Sequence, residues 1–258
     1  MLNDDRISKL IDFKDAKDCF IGVNIAGGVS YFLWDSEHHG ICEVSNFSNN
    51  KIQSTVSRSL NEYDFFVRSN IGLKIIKKFE KFSEDNMVSM VYSRNNFGIP
   101  TTKKGYEEPF DGSIRVLTSK GDMFLSIDEI NDRDKILDKY KVITPKAMSG
   151  GNKPSTNGDY MVISSTTQVL NPNEACSETY LCVGNFDNKD YAENLKSYFY
   201  TKTFRFLLLQ ALSSINITKE KFCFIPKQDF SKSWTDEELY EKYDLNQEEI
   251  DYIEKLIR

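Results

Sequence analysis

Apolar and polar residues alternate along the first 50 positions in patterns that predict one short helix and one β-hairpin. Residues 6–13 carry three apolar side chains at helical spacing, Ile7, Leu10 and Ile11. Two strand-like runs follow, Val29 to Trp34 and Gly40 to Val44, and the polar residues 35–39 between them suit a turn. We therefore expect a helix at residues 6–13, followed by a hairpin.

Helical periodicity is clearer in two later segments. Ile71 to Phe82 places apolar residues on one side, and its lysines lie on the other: Lys74, Lys77, Lys78 and Lys81. This spacing predicts an amphipathic helix with a basic face. Asp190 to Ser214 is the longest helical pattern, and residues 201–203 mark a break within it.

The remaining apolar segments are short, and polar loops separate them. Their composition predicts strands at Met87–Tyr92, Ile114–Leu117, Met123–Ile127, Val142–Thr144, Tyr160–Ser164 and Thr179–Val183, and at residues 221–226. Near the C-terminus, Thr235 with Glu238 and Asn246 with Glu249 each form a capping-box pattern, which predicts two short helices. Together these elements predict an α+β protein with a mixed sheet and a helical C-terminus.

Composition agrees with a folded globular protein, since 40% of the 258 residues are hydrophobic and 13% are aromatic. No apolar stretch approaches the length of a transmembrane helix. The N-terminus lacks the basic start and apolar core of a signal peptide, so we expect a cytoplasmic protein with no membrane partner. The five cysteines form no Cys-x-x-Cys pair, and we expect free thiols rather than a metal site.

Charge is unevenly distributed along the chain. The net charge is −6, but residues 1–50 and 233–258 carry most of the acidic excess, whereas residues 51–232 are mildly basic. This asymmetry is compatible with a polyanionic partner for the middle segment.

Two polar loops of the middle segment offer further side chains that could contact DNA. Residues 94–112 include Lys103 and Lys104, and residues 144–158 include Lys146, Asn152 and Lys153. The glycines of the second loop would let its backbone approach a groove, so this loop is the first candidate for groove contact. Taken singly, each lysine is better interpreted as a solvated surface residue, and only their concentration favours a binding function.

The sequence contains no readable active centre. Neither a Gly-x-Gly-x-x-Gly pattern nor a phosphate-loop Gly-Lys-Ser/Thr is present, and a strand rather than a helix follows Gly27-Gly28. The only histidines, His38 and His39, are too few for a typical hydrolytic zinc site. The carboxylates show no spacing typical of a magnesium nuclease, so an independent nuclease is the least favoured interpretation.

Three segments together resemble one protein family. They are NIAGGVSYFLWD at residues 24–35, FDNKDYAENLKSYFYTKTFRFLLL at residues 186–209 and the tail from Cys223 to Arg258. In this order they resemble the C-terminal part of type II restriction-modification adenine-specific DNA methyltransferases. The resemblance implies a remnant of a Rossmann-like catalytic domain (a helix and a β-hairpin) at residues 1–50, a mixed-sheet DNA target-recognition domain at residues 51–232 and a helical cap at residues 233–258.

The same resemblance implies what this chain would do and what it would leave to others. The family binds S-adenosylmethionine through a Phe-x-Gly-x-Gly motif and grips a flipped adenine through an Asn/Asp-Pro-Pro-Tyr/Phe loop. Neither motif is present, and the six prolines are never adjacent. We therefore expect the donor-binding strands to lie upstream of Met1 and the chain to be inactive alone. It could still supply aromatic neighbours for the flipped base, with Tyr31, Phe32 and Trp34 as candidates. Strand alternation means that they do not all face one way, and a plain role in the core is an equally good interpretation of these residues.

Two classes of function remain open. The first is a DNA recognition module whose partner is double-stranded DNA. The second is an interaction subunit that completes a separately encoded methyltransferase or endonuclease through an exposed apolar patch near Val29–Trp34.

Overall fold

The computed structural model describes residues 1–22, 28–82, 84–148, 154–163 and 165–258. Its first 60 residues form a four-stranded sheet of β1 (Ile7–Phe13), β2 (Val29–Trp34), β3 (Cys42–Ser48) and β4 (Lys51–Arg58). The strand order is β2-β1-β3-β4, with β1 antiparallel to β2 and parallel to β3. We call this the N-terminal sheet, and β2 and β4 are its edge strands.

The helix expected at residues 6–13 is wrong, because these residues form β1. A β-bulge between Ile7 and Lys9 shifts the register, and Ile7 and Leu10 both join the small buried cluster beneath the sheet. The bulge therefore produces the three-residue spacing of buried side chains that an amphipathic helix would also produce.

The two strands expected around the turn at residues 35–39 are present, but the hairpin is wrong because β1 lies between β2 and β3. Their connection passes the start of β1, where Asp35 N donates to the carbonyl oxygen of Arg6 (3.0 Å) and Gly40 N donates to that of Asp5 (3.1 Å). β3 forms its antiparallel pair with β4 instead. Sequence analysis missed β4 because most of its residues are exposed and polar.

The middle of the chain adds two three-stranded sheets. One has the order β6-β5-β9 and the other β10-β7-β8. Their strands are β5 (Ser113–Thr118), β6 (Gly121–Ser126), β7 (Tyr140–Pro145), β8 (Gln168–Leu170), β9 (Glu174–Cys176) and β10 (Tyr180–Phe186). Four of the predicted strands are thus confirmed. The three at 87–92, 160–164 and 221–226 are wrong, since the first and last consist partly of 3-10 turns and Tyr160 forms only an isolated bridge to Ile257.

The helices follow the predicted pattern closely. They are α1 (Asn70–Glu80), α2 (Lys189–Phe199), α3 (Lys202–Ala211), α4 (Asp236–Lys242) and α5 (Gln247–Leu256). Thr201 separates α2 from α3 as their sequence indicated, and its side chain caps α3 by accepting from Phe204 N. Both C-terminal capping boxes are confirmed. No helix in the described part of the chain is long and apolar enough to cross a membrane.

The helices enclose the main core together with strands β7 and β10. Phe199, Phe204 and Phe222 are fully buried at its centre, and the rings of Phe199 and Phe204 stack with centroids 4.3 Å apart. Residues of α4 and α5, including Tyr243 and Ile253, belong to the same cluster. The α+β class is therefore confirmed, and the C-terminal helices are part of this core. We call the described residues of 61–258 the body.

Candidate functional site

A cavity of about 280 Å³ lies where the N-terminal sheet meets the helical body. Its walls come from the end of β1, the start of β2, residues 66–69 before α1, Tyr160 and the end of α3. Distant parts of the sequence thus converge here, which is where small-molecule and polymer sites commonly form in proteins. Its lining residues are Asp12, Lys14, Gly28, Val29, Ser30, Phe66, Arg68, Ser69, Tyr160, Leu209, Gln210, Leu212 and Ser213.

An ion pair forms one wall of the cavity. Arg68 Nε donates to Asp12 Oδ1 at 2.9 Å, and an Arg68 terminal nitrogen lies 2.8 Å from the same oxygen. Another bond, at 2.9 Å, runs from the guanidinium to the carbonyl oxygen of Phe13. The Asp12 side chain is only 2% exposed. Burial raises the pKa of Asp12 above the usual 3.8, and Arg68 opposes this effect without cancelling it.

A second wall carries a chain of hydrogen bonds. Lys14 Nζ donates to the Tyr252 hydroxyl at 3.2 Å, and this hydroxyl lies 2.8 Å from Ser69 Oγ. Ser69 is the N-cap of α1, where its Oγ accepts from Gly72 N at 2.9 Å. These hydrogen bonds connect the end of β1 to α1 and α5, so the half-buried Lys14 ammonium is held between the sheet and the body.

Glycine is required at position 28, where the chain turns into β2. Gly28 has a φ of +71°, and a Cβ there would lie 2.3 Å from the Phe13 carbonyl oxygen and 2.6 Å from an Arg68 terminal nitrogen. The start of β2 therefore presses directly against the end of β1 and the Asp12–Arg68 pair. Gly27 and the rest of residues 23–27 lie outside the described residues.

The aromatic residues of β2 are exposed and do not converge. Tyr31, Phe32 and Trp34 are 53%, 47% and 45% exposed. Tyr31 packs on Phe13 with ring centroids 5.6 Å apart, whereas Phe32, its neighbour in the strand, projects from the opposite face. Trp34 Nε1 donates to Asp4 Oδ2 at 3.2 Å. Within the described residues, β2 has no strand on its outer edge.

The lysines of α1 lie on one side of the helix as predicted, but acidic groups meet three of them. Lys74 and Lys78 contact Glu249 of α5 at 3.3 and 2.7 Å, and Lys77 contacts Glu62 at 2.8 Å. The Glu249 side chain is 1% exposed. Burial acts to raise the pKa of Glu249, but the bonds from Lys78, Asn246 and Lys74 outweigh it and lower that pKa below the usual 4.5. These contacts attach α1 to α5.

Lys81, which follows α1, is exposed. Two of the described loop lysines have partners of their own. Lys103 Nζ lies 2.7 Å from Glu129 Oε1, and Lys104 is exposed. Lys146 Nζ donates to the carbonyl oxygen of Glu178. Asn152 and Lys153 lie outside the described residues.

Glu178 brings the two predicted DNA-contacting loops together. Its carboxylate accepts from Thr101 N at 3.2 Å and lies 3.4 Å from a terminal nitrogen of Arg94, both in the first loop. Its carbonyl oxygen accepts from Lys146, in the second loop. Burial and the neighbouring Arg94 charge lower the pKa of Lys146. The starts of both loops therefore share one anchor.

A further buried charge, Lys141, has a structural role. Its ammonium is fully buried and donates to the carbonyl oxygens of Leu137, Lys139 and Asn171 at 3.0–3.1 Å. Burial lowers the pKa of Lys141 to about 8. Three acceptors satisfy the three N–H groups of the ammonium, so no donor is left for a ligand.

The five cysteines are free, and three of them are buried. In the described parts of the chain, no three His, Cys, Asp or Glu side chains are arranged to hold a metal ion. The cavity residues, by contrast, were missed by sequence analysis. The one available signal was the pair of opposite charges, Asp12 and Lys14, on either side of Phe13 where β1 ends.

No protein-family model matches the sequence of this chain, and no curated protein is significantly similar to it.

Proposed function

We propose that this chain is the sequence-specific DNA recognition module of a restriction-modification adenine-specific DNA methyltransferase. On this proposal it does not methylate DNA alone, because the donor-binding and adenine-gripping motifs of that family are absent from its sequence. S-Adenosylmethionine is then bound by other residues of the complete enzyme. Double-stranded DNA is the partner of this chain.

The observation that carries the proposal is the outer edge of β2, which is free of any other strand in the described part of the chain. The exposed apolar side chains on both faces of this strand favour pairing with a further strand. A Rossmann-like catalytic domain is built on a larger, mostly parallel sheet, and β2 falls in the segment that resembles its last part. The N-terminal sheet then represents the border of the catalytic domain.

A second observation supports DNA recognition by the body. The loops that begin near Arg94 and Lys146 are anchored side by side on Glu178. Long polar loops on a sheet scaffold are where proteins commonly place residues that read a ligand. On the proposal these two loops contact the same stretch of duplex.

Selection from randomised duplex DNA tests the proposal. The purified chain is incubated with the pool at moderate salt, and the bound fraction is sequenced. We expect enrichment of a short motif that contains adenine, with affinity that falls steeply as salt rises. Absence of duplex binding, or binding that salt does not weaken, contradicts the proposal.

Matched variants locate the binding surface. Lys81→Ala and Lys104→Ala remove exposed lysines, whereas Lys77→Ala removes a lysine that contacts Glu62. Each phosphate contact makes the slope of log K against log salt more negative by about 0.9. Removal of a contacting lysine therefore makes the slope shallower by about that amount. We expect a reduction for Lys81 or Lys104 and none for Lys77.

The free edge of β2 also favours a second candidate, an interaction subunit that completes a separately encoded methyltransferase or endonuclease. On this candidate, the exposed edge drives association in the absence of DNA. Sedimentation velocity tests it with Leu33→Lys and with Ile127→Lys as the control, since these residues are 55% and 54% exposed. Association lost in Leu33→Lys and retained in Ile127→Lys favours the subunit, and a strictly monomeric wild-type chain counts against it.

A further inference from the structure

The cavity between the N-terminal sheet and the body has a net positive charge. Among its described lining residues, Lys14 and Arg68 are cations and Asp12 is the one carboxylate. Asp12 forms its ion pair with Arg68 and acts on Lys14 only at longer range, so the two cations share one carboxylate. A half-buried ammonium in this situation attracts an anion more strongly than a lysine in open solvent does.

Hydrogen-bond donors outnumber acceptors on the same wall. The Lys14 ammonium has three N–H groups, and among the described residues the Tyr252 hydroxyl accepts one of them. Tyr252 and Ser69 share a hydrogen bond that uses one of their two O–H groups, whichever is the donor. Ser69 Oγ already accepts from Gly72 N. Among the described residues, two ammonium N–H groups of Lys14 therefore remain for an acceptor, and the remaining hydroxyl hydrogen is on Ser69 or Tyr252.

The site is rigid as well as cationic. The Ser69 side chain caps α1, and Ser69 itself is only 3% exposed. Gly28 packs against the Phe13 carbonyl with no room for a Cβ. The positive end of the α1 dipole lies at the same wall. A ligand anion thus meets donors that are already in place, which reduces the entropy lost on binding.

The rest of the lining combines apolar and polar side chains. Phe66, Leu209 and Leu212 are apolar, and Tyr160 contributes an aromatic ring. Ser30, Gln210 and Ser213 are polar. The volume of about 280 Å³ exceeds what a single phosphate occupies. An anion attached to a less polar group, as phosphate is attached to a sugar, matches this combination of walls.

We propose that this cavity is a phosphate site in which Lys14 and Ser69 hold the anion. This inference rests on the proposed function: the phosphate belongs to the DNA backbone and is held where the duplex passes between the N-terminal sheet and the body. This contact positions the DNA and carries no sequence information. Lys14 is thereby a binding residue that neither the basic helix nor the polar loops supply.

Four proteins test the site: the wild type, Lys14→Met, Lys14→Arg and Tyr252→Phe. Duplex affinity is measured for each by fluorescence anisotropy across a range of KCl concentrations. Loss of one phosphate contact reduces the slope of log K against log salt by about 0.9, so affinity between 50 and 200 mM salt changes about 3.5-fold less in Lys14→Met. Lys14→Arg keeps the charge and restores the slope.

Tyr252→Phe separates charge from structure. It removes the hydroxyl that accepts from Lys14 but leaves the ammonium in the cavity. We expect the salt slope of the wild type, even if the protein is somewhat less stable. An unchanged slope in Lys14→Met, in a protein that binds duplex, overturns the phosphate site while the proposed function stands.

A second measurement decides the case in which the wild type binds no duplex and the proposed function fails. Inorganic phosphate is added at constant ionic strength, and the Tm of the wild type and of Lys14→Met is recorded. A rise in Tm for the wild type alone supports a site for a small phosphate compound, because a ligand of the native state stabilises it. Equal rises, or none, overturn the phosphate site.

Discussion

The N-terminal sheet and the helical body differ in how completely their apolar surfaces are covered. In the body, Phe199, Phe204 and Phe222 are 0% exposed, and helices surround them. In the sheet, Leu33 and Ile52 on the two edge strands are 55% and 54% exposed. The body buries the surface that stabilises it, whereas the sheet retains apolar surface that another segment could cover. The buried apolar surface that stabilises the fold and the exposed apolar surface therefore lie in different regions of this chain.

The largest expected contrast comes from truncating one apolar side chain in each region. Phe204→Ala leaves a cavity in the main core and should cost about 3–5 kcal/mol. Leu33→Ala removes an exposed side chain and should change stability by less than about 0.5 kcal/mol. Urea unfolding measures both. Similar losses would mean that the edge strand is covered in solution, which breaks the comparison.

Within the N-terminal sheet, the close approach of the start of β2 to the end of β1 is tested at Gly28. Gly28→Ala requires a left-handed alanine and displaces the Phe13 carbonyl, at a cost of about 2–4 kcal/mol. Gly22→Ala is the matched control, because Gly22 also has a positive φ (+83°) but nothing lies within 4 Å of its Cβ position. We expect about 1 kcal/mol for the control. Equal losses of unfolding free energy would exclude the close approach.

Two buried carboxylates should give the two regions opposite responses to pH. The pKa of Glu249 is below 4.5, so its ionised form stabilises the body above that pH, and the effect is lost as pH falls through the folded pKa. The pKa of Asp12 is above 3.8, so its contribution is complete below 3.8 and is lost as pH rises through the folded pKa.

Urea midpoints of Glu249→Gln and Asp12→Asn, measured against pH, check this difference. Each variant should lose about 1–3 kcal/mol where its carboxyl contributes most. The stability difference from the wild type should shrink with acidification for Glu249→Gln and grow for Asp12→Asn. Parallel curves would contradict the assigned pKa directions.

The smallest effect is expected at the surface of α1. Lys77 is 52% exposed although it contacts Glu62, so Lys77→Met should change unfolding free energy by less than about 0.5 kcal/mol. Lys78→Met should cost more, because Lys78 is 21% exposed and its partner Glu249 is buried. Equal losses would show that burial of the partner does not matter here.

Sequence patterns predicted the helices well because local interactions specify them. The cap at Thr201 and the capping boxes at Thr235 and Asn246 are each made by residues three positions apart. The sequence of β1 predicted a helix because its β-bulge gives the buried residues Ile7 and Leu10 the three-residue spacing of an amphipathic helix. β4 was missed because few of its side chains are buried, so no apolar pattern marks it.

The cavity could not be predicted from local patterns. Asp12, Arg68 and Tyr160 come from three separate segments, and only the tertiary fold brings them together. The sequence predicted that the lysines of α1 lie on one side of the helix, but it did not predict the acidic side chains that contact them. Glu249 contacts Lys74 and Lys78 but is far from them in sequence. The sequence pattern of α5 already accounted for Glu249 as the partner of Asn246 in a capping box.

One hydrogen bond at the cavity joins residues that are synthesised at opposite ends of translation. Lys14 and its acceptor Tyr252 are 238 positions apart. During synthesis, β1 leaves the ribosome long before α5 exists, so a nascent chain holds Lys14 without its hydroxyl partner. The hydrogen bond that joins β1 to α5 can form only after translation has passed residue 252, and a chain that stalls earlier lacks this link.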